Sequence, residues 1–182
     1  MKQNKVFIFG LLFFLLFGTF MSPLVAQNYY ISDENELALS IRASKKPYKI
    51  LYVLCTYCRP AKYNQSLDTL ITKHNSDSIA FFPISAEFAT GGPEYLKKYG
   101  INSTVYFLNE REAKKIWFFR FDNPVRQVSD FIKDMSHNKA IHVGAGGFVI
   151  LDEDNLPITW SDYKNNKFEN DYLRLKEFIT KH

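Results

Sequence analysis

The chain has two cysteines, Cys55 and Cys58, and only Thr56 and Tyr57 separate them. At the start of a helix, residues three apart lie about one turn from each other, roughly the Cα separation that a disulfide requires. The unpaired N–H groups of a helix N-terminus also lower the pKa of a nearby thiol, because they favour the thiolate. The pattern therefore predicts a redox pair, with Cys55 as the nucleophile and Cys58 as the resolving thiol.

Two other uses of the pair remain open, namely a structural disulfide and a metal site. In the loop-entropy model, a ring of about four residues stabilises a fold by roughly 2 kcal/mol, against about 4.7 kcal/mol for a loop of about a hundred residues. Because so small a ring adds little stability, the spacing favours thiol–disulfide exchange over a structural bridge.

The residues around the pair predict a strand and then a helix. Residues 48–54 form a short apolar run after Pro47, which is typical of a buried strand. In the helix that follows, with Pro60 in its first turn, four apolar side chains recur at i, i+4, i+7 and i+8 and predict a stripe packed against a sheet: Tyr63, Leu67, Leu70 and Ile71. Four polar side chains of this helix are predicted to face water: Lys62, Gln65, Asp68 and Lys73.

The rest of the chain alternates between strand and helix patterns. Pro83 lies inside the second core strand and predicts an edge, a bulge or an early strand end, because proline removes a ladder donor. Such alternation predicts one α/β domain with a mixed sheet covered on both faces. The predicted elements are a helix at 33–46 capped by Ser32 or Asp33, strands at 79–88, 103–108 and 115–121, helices at 93–99 and from Pro124, a hairpin of 148–151 and 157–160, and a helix at 168–180.

The first 26 residues have the pattern of a secretory signal peptide. Lys2 and Lys5 precede an apolar core over 6–20, and cleavage is expected after Ala26. An uncleaved anchor is the alternative, since residues 6–26 are just long enough to span a bilayer. Either way the domain is predicted to be exported, into a compartment where disulfides persist.

Charge gives no reason to propose a nucleic-acid partner. Removing residues 1–26, which hold two lysines and no acids, lowers the formal net charge from +4 to +2. The remaining basic residues are scattered among acids rather than clustered, so no basic surface is predicted.

The chain resembles the thioredoxin-like fold family, and within it the exported TlpA and ResA type of thiol-disulfide oxidoreductases. The resemblance rests on strand 48–54 with Cys55-Thr56-Tyr57-Cys58-Arg59-Pro60, on the following helix, and on the hairpin that begins at Gly147 with a terminal helix after it. It implies a thioredoxin-like α/β domain over 27–182, with a central mixed β-sheet, helices on both faces and an insertion at about 93–140.

Two alignments to this family are open, and they differ in the residue opposite the cysteines. The family has a cis-proline there; the preferred alignment, which uses the whole chain, puts Gly146 in that slot. The other puts Ser103 or Val105 there and leaves residues after 138 as an extension. In either case the proline is missing, and a non-proline residue strongly prefers a trans peptide bond.

The chain departs from the family at two further positions. Leu54 replaces the usual tryptophan, and Lys49 stands where thioredoxins carry a buried aspartate. Lys49 is expected to extend outward along its apolar stem, the alternative being that its charge lowers the pKa of the thiol.

The resemblance implies an exported, periplasmic or secreted enzyme that exchanges disulfides with protein substrates. Thr56, Tyr57 and Gly146 are the predicted substrate-binding residues; no cofactor and no metal are implied. Since the chain has one cysteine pair, a separate exported or membrane protein must recharge it. Two alternatives remain: a non-catalytic thioredoxin-like module that binds a protein partner, and a copper-binding protein resembling the Sco type, with His142 beside the two thiolates.

Overall fold

The computed structural model describes residues 29–55, 61–73, 77–87, 92–109, 123–161 and 168–182. The predicted strand at 115–121 and the residues Thr56, Tyr57 and Cys58 lie outside these ranges. The elements are β1 (Tyr29–Ser32), α1 (Glu34–Ala43), β2 (Tyr48–Leu54), α2 (Ala61–Lys73), β3 (Ile79–Ser85), α3 (Gly92–Lys98), β4 (Val105–Leu108), α4 (Pro124–Met135), β5 (Phe148–Leu151), β6 (Pro157–Trp160) and α5 (Phe168–Lys181).

The described strands form one mixed sheet in the order β1-β4-β3-β2-β5-β6. The first four strands of that order are parallel, while β5 runs antiparallel to β2 and β6 antiparallel to β5. The strand that leads to Cys55 therefore lies in the interior of the sheet, between β3 and β5. β4 separates β1 from β3, an order that the sequence pattern does not predict.

Helices cover both faces of this sheet, as the α/β prediction requires. Leu37 of α1 and Phe131 of α4 are buried in one core cluster. Leu67 of α2, Leu96 of α3 and Leu175 of α5 are buried in a second cluster on the opposite face. Each helix presents an apolar stripe to the sheet, so the sequence periodicity and the layer structure agree.

β2 contributes to both clusters, which explains why its residues 50–54 are apolar without alternation. Ile50, Tyr52 and Leu54 pack into the cluster under α2, and Leu51 and Val53 into the cluster under α1. Successive side chains of a strand point to opposite faces, so a strand buried on both sides has no polar alternation. The predicted bounds of this strand, 48–54, match the structure.

The predicted cap of α1 is confirmed. The Asp33 side chain accepts a hydrogen bond from the Glu36 N–H at 2.8 Å, which satisfies one of the free donors at the start of α1. Asn123 caps α4 in the same way, and Pro124 lies in the first turn, where its missing N–H costs no helical bond.

Pro83 neither ends nor bulges the second core strand, which continues to Ser85. The Ala86 N–H donates to the Leu54 carbonyl, and bonds to one neighbour recur at every second residue of a parallel strand. The main-chain nitrogen of Pro83 therefore points away from β2. The ladder between β3 and β4 begins only at Ile84. Of the three predicted outcomes, the structure shows a locally unpaired edge.

The prediction that Asp68 faces water is wrong, because Asp68 is 4% exposed. Its carboxylate accepts hydrogen bonds from the main-chain N–H groups of Asn102 and Ser103, at distances between 2.7 and 3.1 Å. A helical periodicity assigns charged residues to the solvent face, but here the carboxylate fixes the loop that leads into β4. Gln65, on the same helix, is exposed as predicted.

Within the described residues, no helix is both long enough and apolar enough to cross a membrane.

Candidate functional site

Cys55 lies at the carboxyl end of β2, immediately after the last residue of the strand. The residue is disulfide-bonded and 3% exposed. Cys58, the one other cysteine of the sequence, lies outside the described residues, as do Thr56 and Tyr57. The structure therefore places the predicted nucleophile in the interior of the sheet and in oxidised form.

Gly146 and Gly147 lie beside Val53, which is near the end of β2 and two residues before Cys55. The Gly146 N–H donates to the Val53 carbonyl at 2.6 Å, and the Val53 N–H donates to the Gly147 carbonyl at 2.8 Å. Two residues thus oppose one, which is the geometry of a β-bulge just before β5. This pairing puts Gly146, rather than Ser103 or Val105, next to the cysteine strand, as the preferred alignment predicts.

The backbone explains why Gly146 is a glycine. Its φ angle is +74°, in the left-handed region that side chains with a Cβ avoid. Proline fixes φ near −65°, so the conformation at this position excludes it. No cis peptide bond occurs among the described residues. The slot opposite Cys55 is therefore built around a glycine bulge in this chain, and substrate binding by Gly146 stays a prediction.

A buried polar network behind Cys55 has no counterpart in the sequence predictions. The side-chain amide of Asn64 on α2 donates to the Cys55 carbonyl and to the Tyr95 hydroxyl, both at 3.1 Å. The Tyr52 hydroxyl contacts the Asn64 side-chain oxygen at 3.3 Å. Asn64 is 3% exposed. The available signal was its spacing, because Asn64 precedes Leu67 by three residues on the buried face.

Both predictions for Lys49 are wrong. Lys49 is fully buried, and its Nζ donates to the Glu153 carbonyl and to Asn155 Oδ1, each at 2.8 Å, in the turn between β5 and β6. Cys55 lies six positions further along the strand, which is about 20 Å at 3.3 Å per residue. Its ammonium group fixes the hairpin turn and is too far away to affect the thiol. Burial lowers the pKa of Lys49, against the opposing effect of nearby carboxylates, chiefly Asp152.

The copper alternative needs Cys58, which lies outside the described residues, so it stays a prediction. His142 is exposed, and no group of three histidine, cysteine or acidic side chains that suits a metal ion occurs in the part of the chain that the structure describes.

Comparison with known proteins finds similarity at the level of structure. No protein-family model matches the sequence, and no curated protein sequence matches it. A thioredoxin-related protein from Neisseria meningitidis serogroup B superposes with a TM-score of 0.50 at 10% identity, over 78% of this chain and 91% of that one. A thioredoxin-family thiol:disulfide interchange protein from Chlorobium tepidum TLS superposes with a TM-score of 0.48 at 13% identity, over 78% of this chain and 83% of that one. A putative thiol-disulfide oxidoreductase from Bacteroides vulgatus superposes with a TM-score of 0.44 at 18% identity, over 75% of this chain and 79% of that one.

In this chain, parallel β2 and β3 are followed by an antiparallel hairpin, and the superposition on the Neisseria protein covers 78% of the chain. The fold of this chain is thioredoxin-like, as the sequence predicted. At such low identity the similarity establishes the fold alone, so the activity has to be argued from the site.

Proposed function

We propose that this chain is a thiol-disulfide oxidoreductase that exchanges disulfides with protein substrates through Cys55 and Cys58. The observation that carries the proposal is the position of Cys55, which is disulfide-bonded at the carboxyl end of an interior strand of a thioredoxin-like sheet. In open α/β sheets, ligands bind outside the carboxyl ends of the strands, so this end of β2 is where a substrate approaches.

The proposed exchange proceeds through a mixed disulfide. The Cys55 thiolate attacks one sulfur of a substrate disulfide; a Cys55–substrate bond forms and the second substrate sulfur leaves as a thiolate. The Cys58 thiolate then attacks the Cys55 sulfur, closing the protein disulfide and releasing the first substrate sulfur. Two electrons pass from the pair to the substrate, and the reverse sequence oxidises a dithiol.

Two features shape how a substrate would reach the pair. Cys55 is 3% exposed in the oxidised form, so exchange at its sulfur requires the residues that cover it to move. We assign substrate contact to Thr56, Tyr57 and Gly146. The glycine bulge at Gly146 replaces the proline of the family; because its N–H is paired with the Val53 carbonyl, main-chain contact with a substrate strand would use its C=O.

Export is part of the proposal. The leader over residues 1–26 would deliver the domain to the periplasm or the exterior, either free after cleavage or tethered to the inner membrane. A separate exported or membrane protein would recharge the pair. N-terminal sequencing of the protein recovered from the exported fraction tests this directly: cleavage predicts a chain that begins at Gln27, and an intact Met1 indicates a tether.

A redox titration tests the activity. Protein expressed with its own leader and purified from the exported fraction is equilibrated in glutathione buffers, and the Cys55–Cys58 pair is followed by thiol labelling. We expect the folded protein to pass reversibly between oxidised and reduced forms, and to catalyse insulin reduction above the level of its Cys55→Ser variant.

Two outcomes of that experiment contradict the proposal. A pair that stays oxidised until the protein unfolds would indicate a structural bridge. A pair that titrates while insulin turnover equals that of Cys55→Ser would indicate a module that binds a partner without catalysing exchange.

A further inference from the structure

We propose that Asn64 is a positioning residue that favours the disulfide form of Cys55, which sets the redox balance of the pair. The proposal rests on the exchange activity proposed above. It starts from one geometric fact: the Asn64 side-chain amide donates a hydrogen bond of 3.1 Å to the main-chain carbonyl of the residue that carries the sulfur.

The Asn64 amide has one orientation open to it. Its two N–H groups are directed to the Cys55 carbonyl and the Tyr95 hydroxyl, and its oxygen pairs with the Tyr52 hydroxyl. An amide has two donors and an acceptor with two lone pairs, so three of four positions are filled. Because Asn64 is 3% exposed, water cannot replace a lost partner, and a flipped amide would turn its oxygen toward the Cys55 carbonyl, acceptor against acceptor.

The network joins three elements at the cysteine. Tyr52 and Cys55 belong to β2 and its end, Asn64 to α2, and Tyr95 to α3. Each partner approaches the amide from a different direction, so the side chain is fixed relative to all three elements. The Asn64 amide that binds the Cys55 carbonyl is therefore itself held by two further hydrogen bonds, to Tyr52 and Tyr95.

This bond is made in the oxidised protein, since Cys55 is disulfide-bonded in the structure. Reduction frees Cys55 from the second sulfur, so the disulfide no longer holds its main chain in the position at which its carbonyl meets the Asn64 amide. The bond therefore contributes more to the disulfide form than to the dithiol form. Removing it should shift the balance toward the dithiol, which makes the pair more oxidising.

The measurement is the equilibrium of the protein disulfide plus two glutathione thiols with the protein dithiol plus glutathione disulfide. We expect Asn64→Leu to raise the constant in the direction of the protein dithiol by about three- to tenfold, the range for one hydrogen bond present in one state only. A tenfold change corresponds to a potential about 30 mV more positive.

Gln127→Leu is the matched control. Gln127 is also a buried amide that donates to a main-chain carbonyl, that of Asn109 at 2.8 Å, and to Glu34 Oε1 at 2.9 Å. It lies on α4, on the face of the sheet opposite α2. We expect Gln127→Leu to lower the free energy of unfolding about as much as Asn64→Leu, without changing the glutathione equilibrium.

The outcomes separate this inference from the proposed function. An equilibrium constant for Asn64→Leu equal to that of Gln127→Leu overturns the inference. The proposed function still stands in that case, provided that the wild-type pair titrates reversibly in the folded protein. A wild-type pair that does not exchange in the folded state overturns the proposed function first.

If Asn64→Leu does not fold, Asn64→Ala serves in its place. Alanine removes the amide and brings no charge and no new donor to the Cys55 carbonyl. The same shift toward the dithiol is expected, and an unchanged equilibrium overturns the inference.

Discussion

Replacing Gly147 by alanine should lower the free energy of unfolding by about 2–4 kcal/mol. A Cβ at this position would collide with Ser161 Oγ and would lie 2.7 Å from Val143 Cγ1 and 3.0 Å from the Gly144 carbonyl oxygen. Overpacking of this kind typically costs about 1–3 kcal/mol. The Ser161 hydroxyl cannot simply turn away, because it accepts a hydrogen bond of 2.9 Å from the Phe148 N–H. Losing that bond adds about 1 kcal/mol.

The assay is urea denaturation of the oxidised protein followed by circular dichroism, with Gly100→Ala as the matched control. Gly100 has φ +61° and no atom within 4 Å of an added Cβ, so its substitution carries the conformational cost alone. That cost is about 1–2 kcal/mol. The larger loss at Gly147 corresponds to a fall in Tm of roughly 5–15 °C. If Gly147→Ala is no more destabilising than Gly100→Ala, the close packing around the bulge beside Val53 does not hold.

Three further predictions concern buried and partly buried polar groups. Asp68→Ala should destabilise the fold by about 2–4 kcal/mol, because it leaves the N–H groups of Asn102 and Ser103 without their acceptor. Urea denaturation measures this loss of stability, and a loss close to zero would contradict the prediction. Burial lowers the pKa of Lys49 below 10.5, so the unfolded chain binds this proton more tightly and stability should rise with pH up to 10.5. In Lys49→Met that rise should disappear. Burial raises the pKa of Tyr95 above 10.0, so the contribution of this residue to stability is lost as the pH rises beyond that value. Tyr95→Phe should therefore lose less stability than the wild type in that range. For Lys49→Met or Tyr95→Phe, a curve of stability against pH that runs parallel to wild type would refute the effect assigned to that residue.

Local patterns predicted those elements whose stability is decided by their own residues. Strand β2 was predicted with its observed bounds because a run buried on both faces admits no polar residue at its centre. Helix α4 was predicted from Pro124 and an apolar stripe that includes Val128 and Phe131, both buried in the structure. In both cases the signal lies within a single segment of the chain.

Contacts between distant segments account for what the sequence did not predict. Lys49 and Asp68 are charged residues, and a solvent-facing position is the usual one for a charge. Each is buried because main-chain groups from far along the chain pair with it, in the β5–β6 turn and in the loop before β4 respectively. The network around Asn64 depends likewise on Tyr95 of α3, whose proximity follows from the topology alone.

The placement of β4 between β1 and β3 has a consequence for the order of folding. Tyr29 pairs with Val105, so the first described strand has no strand partner until β4 has been made and has joined the sheet. Contacts between residues far apart in sequence form slowly, because the loop between them must close first. The first described strand, which is synthesised before β4, is therefore expected to dock among the last. Until β1 docks, β4 presents an open edge, and partly folded chains are most exposed to mispairing with one another.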